Sequence, residues 1–339
     1  MRYISYFDGN DAPTNIATDA WLLSNLHADE PVFALWQNKN AVIIGRNQDT
    51  YEEINQDFVD EKDIQVVRRV TGGGAVYHDM GNICFSLFVP VTSETGDINF
   101  GTFIKPVLKA LQDMGIDAEL TGRNDIVVDG KKISGNAQRM ERGYVLHHGT
   151  LMYDVDIDTM VRSLNVSDDK FISKAAKSVR SRVAMIHDIK PDLSYDDLVA
   201  GLMDELTNHG EDGEYVLTDE QRQSILDLRD NQFATWDWTF GESPASDFHN
   251  EQRFDGGTLG ISVQLENGVI KGIDFNGDFL GLEEWRDIED KFIGIPFKSD
   301  ALLEVLNENN PNQQYFGTVT NEEIAGLVNI EKDDNKDFV

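Results

Sequence analysis

The sequence predicts an α/β (α+β) chain in two domains, and three observations carry that prediction. Short apolar runs of strand type alternate with stretches of helical spacing up to about residue 240. Two dipeptides of hairpin type, Asp129-Gly130 and Asn267-Gly268, each separate runs that read as extended. The composition changes at GESPASDF, residues 241–248, after which the strand-and-turn pattern starts afresh. The predicted boundary lies near residue 245, giving a larger domain over 1–245 and a smaller α+β domain over 246–339.

The elements follow in order. MRYISYF reads as a short strand, and Pro13, Thr14 and Asn15 start a helix carrying Ile16, Ala20 and Leu23 on one face. Phe33 to Trp36 and Ala41 to Ile44 are strands separated by the turn-prone QNKN. Ile64 to Val70 is a strand that runs into three glycines, and Asn82 to Val89 is another. A helix is predicted over 99–116. Strands follow at Asp125 to Val128, Lys131 to Gln138 and Tyr144 to Met152, then helices over 193–209 and 218–229. In the second domain, Ile261, Val263 and Leu265 alternate before Asn267-Gly268, and Ile273 and Phe275 after it. Residues 283–292 and 299–308 read as helices, and the tail EKDDNKDFV is expected to fray.

The 339 residues are 40% apolar, enough for a normal core. No run approaches the roughly 20 apolar residues of a membrane helix, and the opening residues lack a signal-peptide pattern. A cytoplasmic protein without a membrane partner is expected. The single cysteine, Cys84, excludes an internal disulfide framework and a zinc site built on several cysteines. A formal net charge of −32 repels polyphosphate backbones, so nucleic acid is not an expected partner.

Two segments carry the chemistry. RRVTGGGAVYHDMGN, Arg68 to Asn82, sets three glycines beside strand-like residues. A bulge or turn is one reason for them. The other is close approach of a ligand to exposed peptide N–H groups, which bind anionic oxygens. Arg68 and Arg69 favour the second, because guanidinium groups hold phosphate in a bidentate way. Neither a Walker loop nor a G-x-G-x-x-G turn is present. In GRNDIVVDGKKISGNAQ, Gly122 to Gln138, strict alternation puts Lys132, Ser134, Asn136 and Gln138 on one face, with Ile133, Gly135 and Ala137 on the other. The polar face lines either solvent or a polar cavity with Lys132 as its cation. A lysine suits acyl-phosphate chemistry, holding a carboxylate against phosphorus and offsetting charge on the leaving group. Lys131 points the other way in this reading.

These residues resemble the lipoate–protein ligase family. RRVTGGGAVYHDMGN, GRNDIVVDGKKISGNAQ and HHGTLM occur in the family's order and spacing, with IIGRNQD before and KSVRSRV after. The resemblance covers about residues 1–295. It implies a biotin-ligase-like mixed-sheet catalytic domain flanked by helices, with a small accessory domain behind it. It implies ATP with Mg2+, lipoate as substrate, and two half-reactions through lipoyl-AMP. The implied partners are lipoyl-domain acceptors, namely the glycine-cleavage H protein and acyltransferase subunits of 2-oxoacid dehydrogenases. Carried over by residue, Arg69 contacts the nucleotide phosphates, and Gly73, Gly74, Ala75, Val76 and Tyr77 line the ATP and adenylate site. Lys132 is the catalytic residue and touches carboxylate and phosphate alike. Arg46, Gly72, His148 and Gly149 lie along the lipoate. The metal is carried by ATP, with Asp125 a candidate ligand or orienting group.

His147 and His148 are neighbours on a strand and point to opposite faces, so they do not chelate one ion together. His78 and Asp79 read as a structural hydrogen-bonding pair or a catalytic one. Lys170, Lys174, Lys177, Arg180 and Arg182 form a basic cluster, either an ordinary solvated face or a segment that closes over the adenylate. Trp236 and Trp238 read as packing at the domain junction. Two rival functions remain: an octanoyl or lipoyl transferase with Cys84 as nucleophile, and a non-catalytic lipoate-binding protein.

Overall fold

Asp129 and Gly130 both adopt the left-handed backbone, at φ +50° and +74°, as a type I′ hairpin turn requires. They sit in a computed structural model that describes residues 1–7, 9–48, 50–91, 100–122, 124–164, 179–240, 248–266 and 269–328. The chain divides into two compact units, Met1–Gly241 and Glu242–Val339. Strands of the first unit are β1 Arg2–Tyr3, β2 Val32–Trp36, β3 Asn40–Ile44, β4 Gln65–Arg68, β5 Val76–Asp79, β6 Asn82–Pro90, β7 Glu119–Thr121, β8 Asp125–Val128, β9 Lys131–Glu141 and β10 Tyr144–Met152.

Seven of them form one mixed sheet in the order β1-β2-β6-β10-β9-β8-β7. β1 runs parallel to β2, and the other pairs are antiparallel. β10 returns from β9 through a second tight turn, where Arg142 (φ +47°) and Gly143 (φ +84°) repeat the left-handed pair. Arg142-Gly143 is not a hairpin dipeptide of the usual Asn-Gly or Asp-Gly type. β2 and β3 flank the predicted QNKN turn but do not pair with each other. β3 instead centres a separate sheet of order β4-β3-β5.

Helices cover both faces of the large sheet. Ala12–Asn25 begins where the Asp11 side chain accepts from Thr14 N, with a proline in the first turn, where a missing N–H costs nothing. Its Ile16 and Leu22 pack with Ile225 of the helix Asp219–Leu228 against Cys84, Phe88 and Leu146. On the other face, Ile104 and Leu111 of Phe100–Asp113 and Leu198 and Leu202 of Tyr195–Leu206 meet Phe85, Leu87 and Ile126. β6 thus sends alternate residues to the two cores, the period-2 signature of a sheet buried on both sides.

The predicted face of β9 needs correction. Asp125 pairs with Gly135 and Ile126 with Ser134, but Val127 pairs with Lys132. Ile133 is therefore the extra residue of a β-bulge, and a bulge reverses the face of everything beyond it. Lys132 shares a face with Gly135 and Ala137, not with Ser134, Asn136 and Gln138. Those three are buried at 0%, 4% and 2% exposure. They lie on the side of Ile126 and Phe85, so neither predicted setting, solvent or polar cavity, holds for them.

In the second unit, β11 Phe248–Phe254, β12 Gly257–Glu266 and β13 Val269–Gly277 form an antiparallel sheet in that order. Asn267 and Gly268 lie outside the described residues, as do the tail EKDDNKDFV and most of GESPASDF. The segment predicted helical at 283–292 is a 3-10 helix over Trp285–Lys291, and Ser299–Asn309 is an α-helix. Phe275 centres this core, with Trp285, Phe292 and Phe316 packed around it at 5.2, 5.5 and 4.9 Å. Among the described residues, no helix is long and apolar enough to cross a membrane.

Candidate functional site

The glycine run forms the loop from β4 to β5. Two backbone bonds extend the β3 edge into it: Arg69 N to Ile44 O and Arg46 N to Thr71 O, both 2.9 Å. Gly73 takes φ +90°, which favours glycine. Its carbonyl oxygen occupies the place a Cβ on Gly45 would need, so the two backbones touch directly.

Arg69 holds this loop from within. Its guanidinium donates to Thr71 Oγ1 (2.9 Å), Ile43 O (3.1 Å), Gly72 O (2.6 Å) and Gly74 O (3.0 Å). It is 6% exposed. Burial, then Arg68, brings its pKa down to about 10, and it stays charged at neutral pH. The sequence reading aimed Arg69 at nucleotide phosphates. The structure turns it into the loop, because carbonyls freed from strand pairing need donors. Arg68 is equally internal, donating to Gly45 O, Gln48 O, Trp238 O and Thr239 O at 2.6–3.1 Å. Arg46, expected along lipoate, lies over the Trp238 ring at 4.7 Å. Trp238 in turn donates to Arg68 O (2.8 Å), so it packs inside the first unit. Trp236 is 53% exposed and stacks on Phe240.

Gly72 and Gly73 are buried, while Gly74, Ala75 and Val76 are half-buried. Tyr77 donates to Asn40 Oδ1 (3.1 Å) and packs in the core behind the small sheet. Its side chain is structural, and its backbone stands opposite Val42 in the small sheet.

The loop rests on the face of the large sheet that the bulge gives to Lys132. Arg139 Nη1 donates to Val70 O (3.1 Å), and Thr71 Oγ1 meets His148 Nε2 (2.7 Å). His148 stands opposite Ala137. Further along that face, Lys132 Nζ lies 2.8 Å from Asp125 Oδ1, both side chains little more than a third exposed. The lysine reaches across Gly135, where a Cβ would stand 3.1 Å from Nζ. Lys132 O also accepts from Ala184 N (2.9 Å). The segment carrying Arg180 and Arg182 thus ends against the lysine's own backbone, with Arg180 paired to Asp158 (2.7 Å). Lys170, Lys174 and Lys177 lie outside the described residues.

A polar chain lines the same face. Arg69 donates to Thr71, Thr71 bonds His148 Nε2, His148 Nδ1 bonds Asp19 Oδ2 (2.8 Å), and Tyr6 donates to Asp19 Oδ1. Tyr6 stacks on Trp36 at 5.8 Å. Asp19, Tyr6, Thr71 and Trp36 are not among the site residues expected from the sequence. One signal was available: Asp19 follows Ile16 by three residues, so an acid falls on the helix's apolar stripe.

Gly149, expected beside lipoate, faces away from this surface. It is opposite Asn136 and Phe85, and a Cβ there would come within 2.6 Å of the Phe85 ring and collide with the Asn136 amide. His147 shares that far side and stacks on Phe85 at 6.1 Å. His78 is internal too, bonded through Nδ1 to Asn38 (3.1 Å) and near Cys84 Sγ (3.5 Å). Its partner in the sequence reading, Asp79, accepts from Gly81 N (2.8 Å) and Asp156 N (2.9 Å), so the two do not form a pair. Cys84 is 1% exposed, and burial holds its thiol well above the ordinary range. Among the described residues no group of three His, Cys, Asp or Glu is placed to hold a metal.

A family profile described as the lipoyl protein ligase A/B catalytic domain matches residues 11–207. A second, the bacterial lipoate protein ligase C-terminus, matches residues 243–328. The chain is 38% identical to lipoate-protein ligase LplJ of Bacillus subtilis, over 97% of this chain and 100% of that protein. It is also 38% identical to lipoate–protein ligase 1 of Staphylococcus aureus, again over 97% and 100%. Among solved structures, LipL1 of P. falciparum, in complex with lipoate, shares the fold with TM-score 0.75 at 24% identity, over 93% of this chain and 96% of that one. A bi-partite lipoate protein ligase of Thermoplasma acidophilum, studied with its E2 lipoyl domain, superposes with TM-score 0.64 at 30% identity, over 73% and 98%. A lipoate-protein ligase A bound with ATP gives 0.60 at 27%, over 71% and 98%.

Proposed function

This chain belongs to the lipoate–protein ligase family of enzymes, and on that premise we propose that it activates lipoate with ATP and transfers the acyl group to a lysine of a lipoyl domain. A carboxylate oxygen of lipoate attacks the α-phosphorus, the bond from that phosphorus to the α,β-bridging oxygen breaks, and pyrophosphate leaves with that oxygen. A lysine amine on the acceptor then attacks the carbonyl carbon of lipoyl-AMP, loses a proton, and expels AMP. The acceptors are the glycine-cleavage H protein and acyltransferase subunits of 2-oxoacid dehydrogenases.

The observation that carries this reading is the Lys132 ammonium, held over Gly135 on the sheet face that also bears the glycine loop. There it holds the lipoate carboxylate against phosphorus and offsets charge on the phosphate as the bond breaks. The backbone of Gly73 to Tyr77 lies along the adenylate. Arg69 acts by fixing the loop's shape. Magnesium carried in with ATP would be held in part by a carboxylate and would supply positive charge to the leaving pyrophosphate. Asp125, partly exposed beside Lys132, is a carboxylate suited to that task. The His148–Thr71 wall and Trp36 border the acyl chain, each of whose buried methylenes is worth roughly 0.8 kcal/mol.

The buried, weakly acidic Cys84 disfavours a cysteine transferase on this scaffold. The test is twofold. Pyrophosphate should form from ATP, magnesium and lipoate without acceptor, which a pure binder does not do. Intact mass should then show one lipoyl group added to the lipoyl domain on mixing. Without pyrophosphate in the first step, the proposal fails.

A further inference from the structure

We propose that Asn136 and Asn124 are positioning residues for Lys132 and Asp125, acting from the opposite side of the sheet. This rests on the reading of Lys132 given above. Asn136 is 4% exposed and its side chain turns away from the lysine. Its amide Nδ2 donates to Asn124 O (2.9 Å), and its backbone N donates to the same oxygen (3.1 Å). Asn124 Nδ2 donates back to Asn136 O (2.6 Å). Three hydrogen bonds thus lock the residue before Asp125 to the residue after Gly135.

The clamp is itself fixed from behind. Gln138 Nε2 bonds His147 Nδ1 (2.8 Å), and His147 Nε2 bonds Asn136 Oδ1 (3.3 Å). The amide can only donate to Nδ1, so His147 is neutral with its proton on Nε2, and that proton goes to Asn136. Burial supports the assignment by pushing the His147 pKa down to about 3. Asn136 Oδ1 therefore has its donor, and its NH2 group is left for Asn124 O and Ser134 Oγ (3.2 Å). Gly149 is bare because the Asn136 amide fills the space of its Cβ. None of these groups lies on the Lys132 face.

The geometry gives the clamp its purpose. The bulge at Ile133 breaks the β8–β9 register between the Val127–Lys132 and Ile126–Ser134 pairs, so the path from Lys132 to Asp125 crosses that break. Beyond the Asp125–Gly135 pair the strands are held by the asparagines. The reach of Nζ across Gly135 to the carboxylate depends on that end staying closed. A displacement of about 1 Å in a reacting group costs on the order of a hundredfold in rate.

The test is a cycle of variants in the full chain: Asn124→Ala, Asn136→Ala, Lys132→Ala and each double. Asn124 is only half-buried, so Asn124→Ala stays informative if Asn136→Ala does not fold. Single-turnover pyrophosphate release is read together with the KM for ATP and thermal melting. Asn124→Ala should lower the adenylation rate by roughly ten- to a hundredfold, with KM for ATP changed less than about twofold. In the Lys132→Ala background it should have no further effect, because residues that act as one unit are non-additive. Asn124→Ser, too short to make the bond back, should not rescue, whereas Asn124→Asp should not either, having lost its donor. Full additivity with Lys132→Ala, or a rate loss no larger than the loss of folded protein, overturns the proposal. A Lys132→Ala enzyme at the wild-type rate is a distinct result: it removes the reading of Lys132 and this inference with it.

Discussion

The ammonium of Lys132 lies 2.8 Å from Asp125 Oδ1 and 3.1 Å from the point where a Cβ on residue 135 would stand. The absent side chain of Gly135 is what lets a lysine cross its own strand to a carboxylate. Both side chains are more than a third exposed, so the pair adds little to stability. Its value lies in where it holds a cation.

Replacing that cation is the sharpest check. Lys132→Ala should lose about 3–4 kcal/mol of barrier reduction, a two- to three-decade fall in pyrophosphate release, with an unchanged melting temperature. A variant that keeps a tenth or more of the rate would contradict the assigned role.

Cys84→Ala should leave ligation intact and cost about 1 kcal/mol of stability as a small buried truncation. Abolished acyl transfer in a folded Cys84→Ala protein would revive the transferase reading.

Arg69→Lys separates two roles. Lysine keeps the charge but not the planar fork that serves four oxygens. If Arg69 braces the loop, urea unfolding should show a loss of about 2 kcal/mol alongside a raised KM for ATP. A raised KM at full stability would point to direct phosphate contact instead.

Gly149→Ala forces a methyl into the Asn136 amide and the Phe85 ring. Overpacking of this kind costs about 1–3 kcal/mol, measurable by calorimetry. A neutral outcome would mean that the layer behind β10 yields more easily than its close packing implies.

Two of the buried histidines, His78 and His147, set a pH dependence. Burial brings His78 and His147 to about 3 in the folded protein, from an ordinary 6.5. Below pH 6.5 the unfolded chain takes up protons that the folded one does not, so unfolding is favoured. Stability from these groups is complete above pH 6.5 and declines as pH falls toward 3. Urea midpoints at pH 7 and 5 should differ in that sense, and His147→Gln should flatten the slope. An equal slope in that variant would assign the effect elsewhere.

Much of the architecture was legible in the sequence. Asp129-Gly130 announced its turn because that pair tolerates two left-handed residues, and β10 was placed to the residue, Tyr144 to Met152. Lys132 was singled out by an alternation that the bulge at Ile133 breaks. A bulge has no strong sequence mark, since Ile133 is as apolar as a regular core residue. Arg69 shows a related limit: residue type shows a guanidinium's affinity for oxygen, not that four loop and strand oxygens would take its donors. The separation of β2 from β3 into different sheets depends on long-range pairing that local turn signals do not encode. Asp19 and Tyr6 meet Thr71 and His148 only in three dimensions.

The contact of Gly45 with Gly73 has a consequence for anyone reshaping this enzyme. Because the Gly73 carbonyl fills the space of a Cβ on Gly45, a library of side chains at Gly45 has no gradual path to explore, and at Gly73 the backbone at φ +90° disfavours any side chain. If the loop seats the nucleotide as proposed, its pre-set shape spends little ordering entropy on capture, and the same rigidity makes it a poor place to broaden nucleotide choice. Variation introduced on the Trp36 wall leaves that seat undisturbed.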